Sequence, residues 1–152
     1  MKNMKIAGIS FLVVIFYSCS HSSHSDEVLH DTGLELTSSI FTSDEDMLSF
    51  FEEDRSDEQV CLQGTVNKIL ADDNDGARHQ RFIIQLGSGQ TILIAHNIDL
   101  AERIDGLREG DRIEVYGEYE WNDRGGVVHW THHDPQNKHV GGWIKHNGSL
   151  FQ

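Results

Sequence analysis

The chain has 152 residues and a formal net charge of −13, with 25 acidic residues against 12 Lys and Arg. Residues 26–59 hold twelve of the acids and a single base, Arg55. Proteins that bind nucleic acids in general neutralise the phosphate backbone with a basic surface, and this acidic sequence indicates no such surface. General nucleic-acid binding is therefore disfavoured. Its length suffices for one domain with a modest core.

The first twenty residues have the pattern of a secretion signal. Lys2 and Lys5 give a positively charged start, and residues 6–17 are almost all apolar. Such a run is too short to cross a bilayer as a stable helix, but it suits the apolar region of a signal peptide. We therefore predict that residues 1–20 are a signal peptide and that the protein is exported, to the periplasm or the outer membrane of a Gram-negative bacterium.

Two routes of processing fit the end of this signal. Ser18 and Ser20 match the small-residue rule of ordinary signal peptidase, which gives a mature protein that starts near His21. In the alternative, Cys19 is the lipidated first residue of a lipoprotein and anchors the protein to the membrane. The other cysteine, Cys61, is expected to be a small buried hydrophobic residue.

A leader and a helix precede the folded part. Residues 21–42 are acidic and rich in Ser and His, which predicts a flexible leader. Ser43 and Asp46 have the spacing of a helix N-cap, and acids fill the first turn. We expect residues 43–152 to form a single β-barrel domain with this short N-terminal helix, which docks through Phe50 or Phe51.

Runs rich in strand-forming residues, some with alternating faces, are separated by turn sequences and predict five strands. They cover residues 60–70, 81–86, 90–96, 112–121 and 127–132. Phe82, Ile84, Ile92 and Ile94 should share one core.

A short helix is predicted between the third and fourth strands, over residues 100–107, because Asp99 and Glu102 have the spacing of a capping box. Three strands, a short helix and two further strands follow the order of an oligonucleotide/oligosaccharide-binding (OB) barrel. The predicted fold is therefore mainly β, a small closed five-stranded OB-like barrel. A small mixed β-sandwich is the alternative.

Several blocks of the sequence coincide, in order, with those of a known family. They are HQRF at 79–82, SGQT at 88–91, AHNIDL at 95–100, GEYEW at 117–121, HWTHHDP at 129–135 and GGW at 141–143. Over residues 57–152 the chain thus resembles a family of small exported proteobacterial proteins described as a domain of unknown function. The resemblance implies export and one compact domain, and it implies no catalytic residues.

Histidines are dense near the end of the chain, where four of the ten lie with Asp134 in residues 129–139. Imidazole beside a carboxylate suits Zn²⁺ or another divalent ion. If residues 127–133 are extended, His129 and His133 point to one face and His132 to the other. The predicted metal ligands are His129 and His133, joined by Asp134 or by a more distant histidine such as His96 or His139.

Aromatic residues on the late strands offer a second kind of site. Trp121 adjoins a polar turn and Tyr119 lies two residues before it, and aromatic platforms of this kind stack sugars or bases. Trp121 and Tyr119 are therefore the predicted ligand-binding residues.

These features predict an exported envelope binding module with a histidine-rich site for a small ligand or a divalent metal such as zinc. One alternative is a metal-dependent hydrolase that uses the same His and Asp residues. The other is a structural or interaction protein in which the histidines form a hydrogen-bonded network.

Overall fold

The computed structural model describes residues 40–152, which form one short helix and seven β-strands. The predicted signal peptide (residues 1–20), Cys19 and most of the predicted leader (residues 21–42) lie outside the described residues. Within residues 40–152, no helix has the length and apolar character needed to cross a bilayer.

Helix α1 (Asp44–Glu52) begins as predicted. Ser43 is its N-cap, and the Ser43 hydroxyl accepts a hydrogen bond from the backbone N–H of Asp46 at 3.1 Å. The acids of the first turn lie at the positive end of the helix dipole. Met47 is fully buried and Phe50 packs beside it against the core. The helix therefore docks on the barrel through these two residues.

Five strands close into a barrel: β1 (Glu58–Ile69), β2 (His79–Gln85), β3 (Thr91–Asn97), β4 (Arg112–Glu120) and β5 (Val127–His129). Their order is β1-β2-β3-β5-β4, and β4 pairs back with β1. Only β3 and β5 run parallel among these neighbours. This is the predicted OB-like barrel, and its first four strands lie within two residues of their predicted bounds.

The core of the barrel follows the alternation that the sequence shows. Phe82, Ile84, Ile92 and Ile94 are each fully buried and lie in one cluster, as predicted. Side chains on a strand alternate between its two faces, so the residues between them point outward. That outward face of β2, β3, β4 and β5 carries the candidate site.

The predicted helix at residues 100–107 is wrong, because this segment forms turns. The buried side chain of Gln80 accepts from the backbone N–H of Ile104 at 2.9 Å and donates to its carbonyl at 3.0 Å. The carboxylate of Asp99 binds Arg78 and does not cap a helix. Side chains of the barrel thus satisfy backbone groups that a helix would have paired.

A C-terminal hairpin of β6 (Trp143–His146) and β7 (Ser149–Phe151) extends the sheet beyond β4. Its turn is Asn147-Gly148, and both residues have positive φ angles, of 49° and 81°. Asn-Gly is the preferred sequence for this kind of two-residue turn. These two strands were not among the five predicted from the sequence.

Candidate metal centre

The outward face of β4 bears two carboxylates beside an imidazole of β5. Along β4, buried residues alternate with half-buried ones, and Glu118 and Glu120 belong to the half-buried set. The register pairs Glu118 directly with His129, and Glu120 with Val127. Since paired residues on neighbouring strands share a face, all three polar side chains lie on the same side of the sheet.

Their ligand atoms converge. His129 Nε2 lies 3.5 Å from Glu118 Oε1 and 3.9 Å from Glu120 Oε1. One ligand atom from each of the three residues lies within 4.8 Å of the others, and no other group of this kind occurs in residues 40–152. The separations exceed those of ordinary N–H···O hydrogen bonds. We call Glu118, Glu120 and His129 the Glu–Glu–His cluster.

The cluster also contains a buried polar atom without a hydrogen-bond partner. Three buried side-chain polar atoms of the described residues have no hydrogen-bond partner: His129 Nε2, Gln59 Nε2 and Gln90 Oε1. Gln59 pairs with Glu118 from the β1 side, so the first two atoms belong to one cross-strand row, Gln59–Glu118–His129. Buried polar groups normally have a hydrogen-bond partner, so an unpartnered one indicates that the atom has another role, such as ligand binding.

The charge state of His129 suits ligation. Burial lowers its pKa, and the neighbouring carboxylates of Glu118 and Glu120 offset part of this effect. The imidazole is therefore neutral at neutral pH, which is the form that binds a metal. With both carboxylates ionised, the cluster presents two negative charges to a cation.

His96 does not join this cluster. It is fully buried, with Nδ1 at 2.8 Å from the Thr131 hydroxyl and Nε2 at 3.1 Å from the carbonyl of Glu102. Because a carbonyl only accepts, Nε2 carries the proton and Nδ1 accepts from Thr131. Burial lowers the pKa of His96 to about 4. Both ring nitrogens are thus engaged in hydrogen bonds within the protein, and the structure does not bring His96 together with His129.

Asp134 and His133 are also placed elsewhere. The Asp134 carboxylate accepts hydrogen bonds from the backbone N–H groups of Gln136, Lys138 and His139 at 2.6 to 2.9 Å. These bonds lower its pKa and fix the loop that follows. His133 is exposed. The predicted set of His96, His129, His133 and Asp134 therefore does not converge, and His129 alone belongs to the cluster.

The reason lies in the backbone at Trp130. Strand β5 ends at His129, and Trp130 has a φ of 50°, in the left-handed region that a bulky residue rarely adopts. This residue breaks the extended geometry on which the prediction rested. Its ring stacks on His139 with 3.7 Å between centroids, and the next two residues, Thr131 and His132, are buried.

The two predicted aromatic ligand-binding residues serve the packing of the protein. Tyr119 is fully buried in the core. Gly126, at φ 91°, lies so close to the Tyr119 ring that a Cβ would overlap it. Trp121 donates from Nε1 to the carbonyl of Phe51 at 2.9 Å and stacks on the Phe51 ring. Tyr119 is thus inaccessible, and Trp121 attaches α1 to the barrel; neither forms an open platform.

Glu118 and Glu120 were not among the residues predicted from the sequence. Both flank Tyr119 in the run Gly117-Glu118-Tyr119-Glu120, whose alternation places them together on the opposite face from Tyr119. The available signal was therefore two carboxylates, two residues apart, on a predicted strand. Their proximity to His129 depends on the register between β4 and β5.

Comparison with known proteins gives a family. The chain matches none of the curated proteins. The family model described as "Protein of unknown function (DUF3465)" matches residues 32–152, which include the whole barrel and the Glu–Glu–His cluster. A match over so much of the sequence establishes membership, so the chain belongs to the DUF3465 family of proteins of unknown function.

Proposed function

We propose that this protein is an exported binding module of the bacterial envelope that holds a divalent cation, with Zn²⁺ as the preferred ion, on Glu118, Glu120 and His129. The observation that supports this function most strongly is the convergence of a buried, unpartnered imidazole nitrogen with two carboxylates, at 3.5 and 3.9 Å.

The spacing suits a coordination sphere. Ligand atoms about 2.1 Å from a tetrahedral Zn²⁺ are about 3.4 Å apart, close to the two distances at His129 Nε2. Oxygen and nitrogen ligands of this kind suit zinc and other divalent ions. Three protein ligands leave at least one coordination position for an external ligand.

The same arrangement favours binding over hydrolysis. A metal-dependent hydrolase needs its activated water beside a general base in addition to the metal ligands. In this cluster both carboxylates are used as ligands, so neither is free to take a proton from the water. We therefore propose a module that binds a ligand through its cation.

Export is part of this proposal, supported by Lys2, Lys5 and the apolar run at residues 6–17. We expect the mature protein to start at Cys19 or close to His21, because the apolar run ends at Tyr17. Intact-mass measurement of protein from an envelope fraction checks this, and a thioether-linked diacylglycerol at Cys19 would identify the lipoprotein route. A mature protein that retains Met1 would contradict export.

The cation site is tested by calorimetric titration of chelator-stripped protein with Zn²⁺. We expect Glu118→Gln, Glu120→Gln and His129→Ala each to weaken binding at least tenfold, since each removes one ligand while leaving the strand pairing intact. His133→Ala is the matched control, because His133 is exposed and outside the cluster. A parent dissociation constant weaker than about 10 μM, or an equal loss in His133→Ala, would contradict the proposed function.

A further inference from the structure

A cleft lies between the outward face of β2 and β3 and the loop that joins β4 to β5. It is lined by Leu70, Ile83, Thr91, Leu93 and residues of the 122–126 loop, with a volume of about 460 Å³. This volume lies within the range of small-molecule sites, which is about 300–1,000 Å³. None of the residues that line it belongs to the Glu–Glu–His cluster.

The floor of the cleft is apolar, and the strand register continues its row of residues toward that cluster. Ile83 of β2 pairs with Leu93 of β3, Leu93 pairs with Val127 of β5, and Val127 pairs with Glu120 of β4. The three apolar side chains are half-buried, so they share the outward face with Glu120. Strand β5 lies between β3 and β4, and neighbouring strands are about 4.8 Å apart. The backbone at Glu120 is therefore about 10 Å from the backbone at Leu93.

The wall of the cleft is preformed. Asn122 Oδ1 accepts hydrogen bonds from the backbone N–H groups of Arg124 and Gly126, at 2.9 and 3.2 Å. The carbonyl of Gly126 accepts from the N–H of Leu93, which attaches the loop to the floor. A loop held in this way loses little conformational freedom when a ligand binds.

The mouth of the cleft offers a positive charge. Arg124 is exposed, and among residues 40–152 its guanidinium forms no ion pair with a carboxylate. The adjacent Asp123 is also exposed, so an anion is favoured here only with help from a second attractive group. A divalent cation in the Glu–Glu–His cluster would be neutralised by Glu118 and Glu120, so it would attract an anion by direct coordination through its open position.

We infer that the cleft binds the apolar part of a small carboxylic acid whose carboxylate is a ligand of the cation. This inference rests on the proposed function. The chain carries a net charge of −13, which repels a free anion, so the bound cation and Arg124 must provide the attraction. The apolar row from Ile83 to Val127 would bury the hydrocarbon, and the open coordination position would take a carboxylate oxygen.

Octanoate is a suitable probe, because it combines a carboxylate with an apolar chain long enough to extend from Glu120 to Leu93. We expect calorimetry to show octanoate binding at least tenfold more tightly to Zn²⁺-loaded protein, freed of excess metal, than to chelator-stripped protein. 1-Octanol has the same chain without the carboxylate, so its affinity should not depend on Zn²⁺.

Two variants locate the binding in the cleft. Leu93→Ser removes part of the floor and Arg124→Gln removes the charge at the mouth, and each should weaken octanoate binding at least threefold. Arg124 is exposed on the loop, so Arg124→Gln keeps the test valid if Leu93→Ser fails to fold. Leu150→Ser is the matched control, since Leu150 is 52% exposed on β7, away from the cleft, and its loss should leave octanoate affinity unchanged.

The outcomes separate the inference from the proposed function. A protein that binds Zn²⁺ but binds octanoate equally well without it, or not at all, overturns the inference and leaves the cation site standing. Octanoate binding that Leu150→Ser weakens as much as Leu93→Ser also overturns it. A protein that binds no Zn²⁺ overturns both.

Discussion

Replacing Ile94 with Asp is expected to unfold the barrel at 25 °C. Ile94 is fully buried and packs in the core that Phe82, Ile84 and Ile92 also form. Loss of a buried aliphatic side chain costs about 2–5 kcal/mol, and burial of an unpaired carboxylate costs several more. Together these terms reach the total free energy of unfolding of a typical domain, about 5–15 kcal/mol. Far-UV circular dichroism and a thermal melt measure the result.

The matched control for this experiment is Ile40→Asp. Ile40 is 50% exposed, so the same substitution there buries no charge and should shift the melting temperature only slightly. An Ile94→Asp variant that melts cooperatively near the parent temperature would show that the face of β3 assigned to the core is wrong.

The free energy of unfolding should fall by about 3 kcal/mol between pH 7 and pH 4, because of His96. Burial lowers the pKa of this histidine to about 4, whereas the unfolded chain titrates near 6.5. Below pH 6.5 the unfolded state therefore binds a proton that the folded state does not, and stability decreases until the pH reaches about 4. Urea denaturation of chelator-treated protein at pH 7.0, 5.5 and 4.5 measures this slope.

Four other groups with lowered pKa values act mainly outside this window or have a smaller effect. Asp99, Asp111 and Asp134 have pKa values lowered below 3.8, so the stability that they contribute is lost only at lower pH. His129, whose pKa is also lowered, adds to the decrease with the same sign, but it is partly exposed.

His96→Gln tests the assignment, because it removes the titrating group and keeps a donor toward the carbonyl of Glu102. The pH dependence should become much shallower in this variant and remain in the control His133→Gln, whose side chain is exposed. An unchanged slope in His96→Gln would show that another group governs the acid sensitivity.

The strands of the barrel could be predicted because each is specified by residues that are adjacent in the sequence. Buried residues alternate with more exposed ones along β2, β3 and β4, and turn sequences separate the strands, so the order of the strands and of the expected helix suggested the OB-like topology. The helix predicted at residues 100–107 failed for a non-local reason. Gln80, 24 residues away in sequence, holds the backbone of Ile104 in another conformation.

The candidate metal centre was predicted only in part, because its geometry depends on contacts between strands. His129 was identified from the density of histidines, but its partners Glu118 and Glu120 follow from the pairing of β4 with β5. His133 and Asp134 were assigned as ligands on the assumption that β5 continues to them. The positive φ of Trp130 shows that the strand stops at His129. A single sequence gives little sign that a tryptophan adopts this conformation.

The brevity of β5 has a consequence for the wall of the barrel. This strand closes the barrel through two residue pairs with β3 and three with β4, whereas β1 and β4 share eight. Local opening of this seam therefore requires less free energy than separation of β1 from β4. An ion held by Glu118 and Glu120 of β4 and His129 of β5 would link the two strands across this seam. Its contribution to the free energy of opening would grow with ion concentration. The supply of metal around the protein would then set how often the interior of the barrel meets water and proteases.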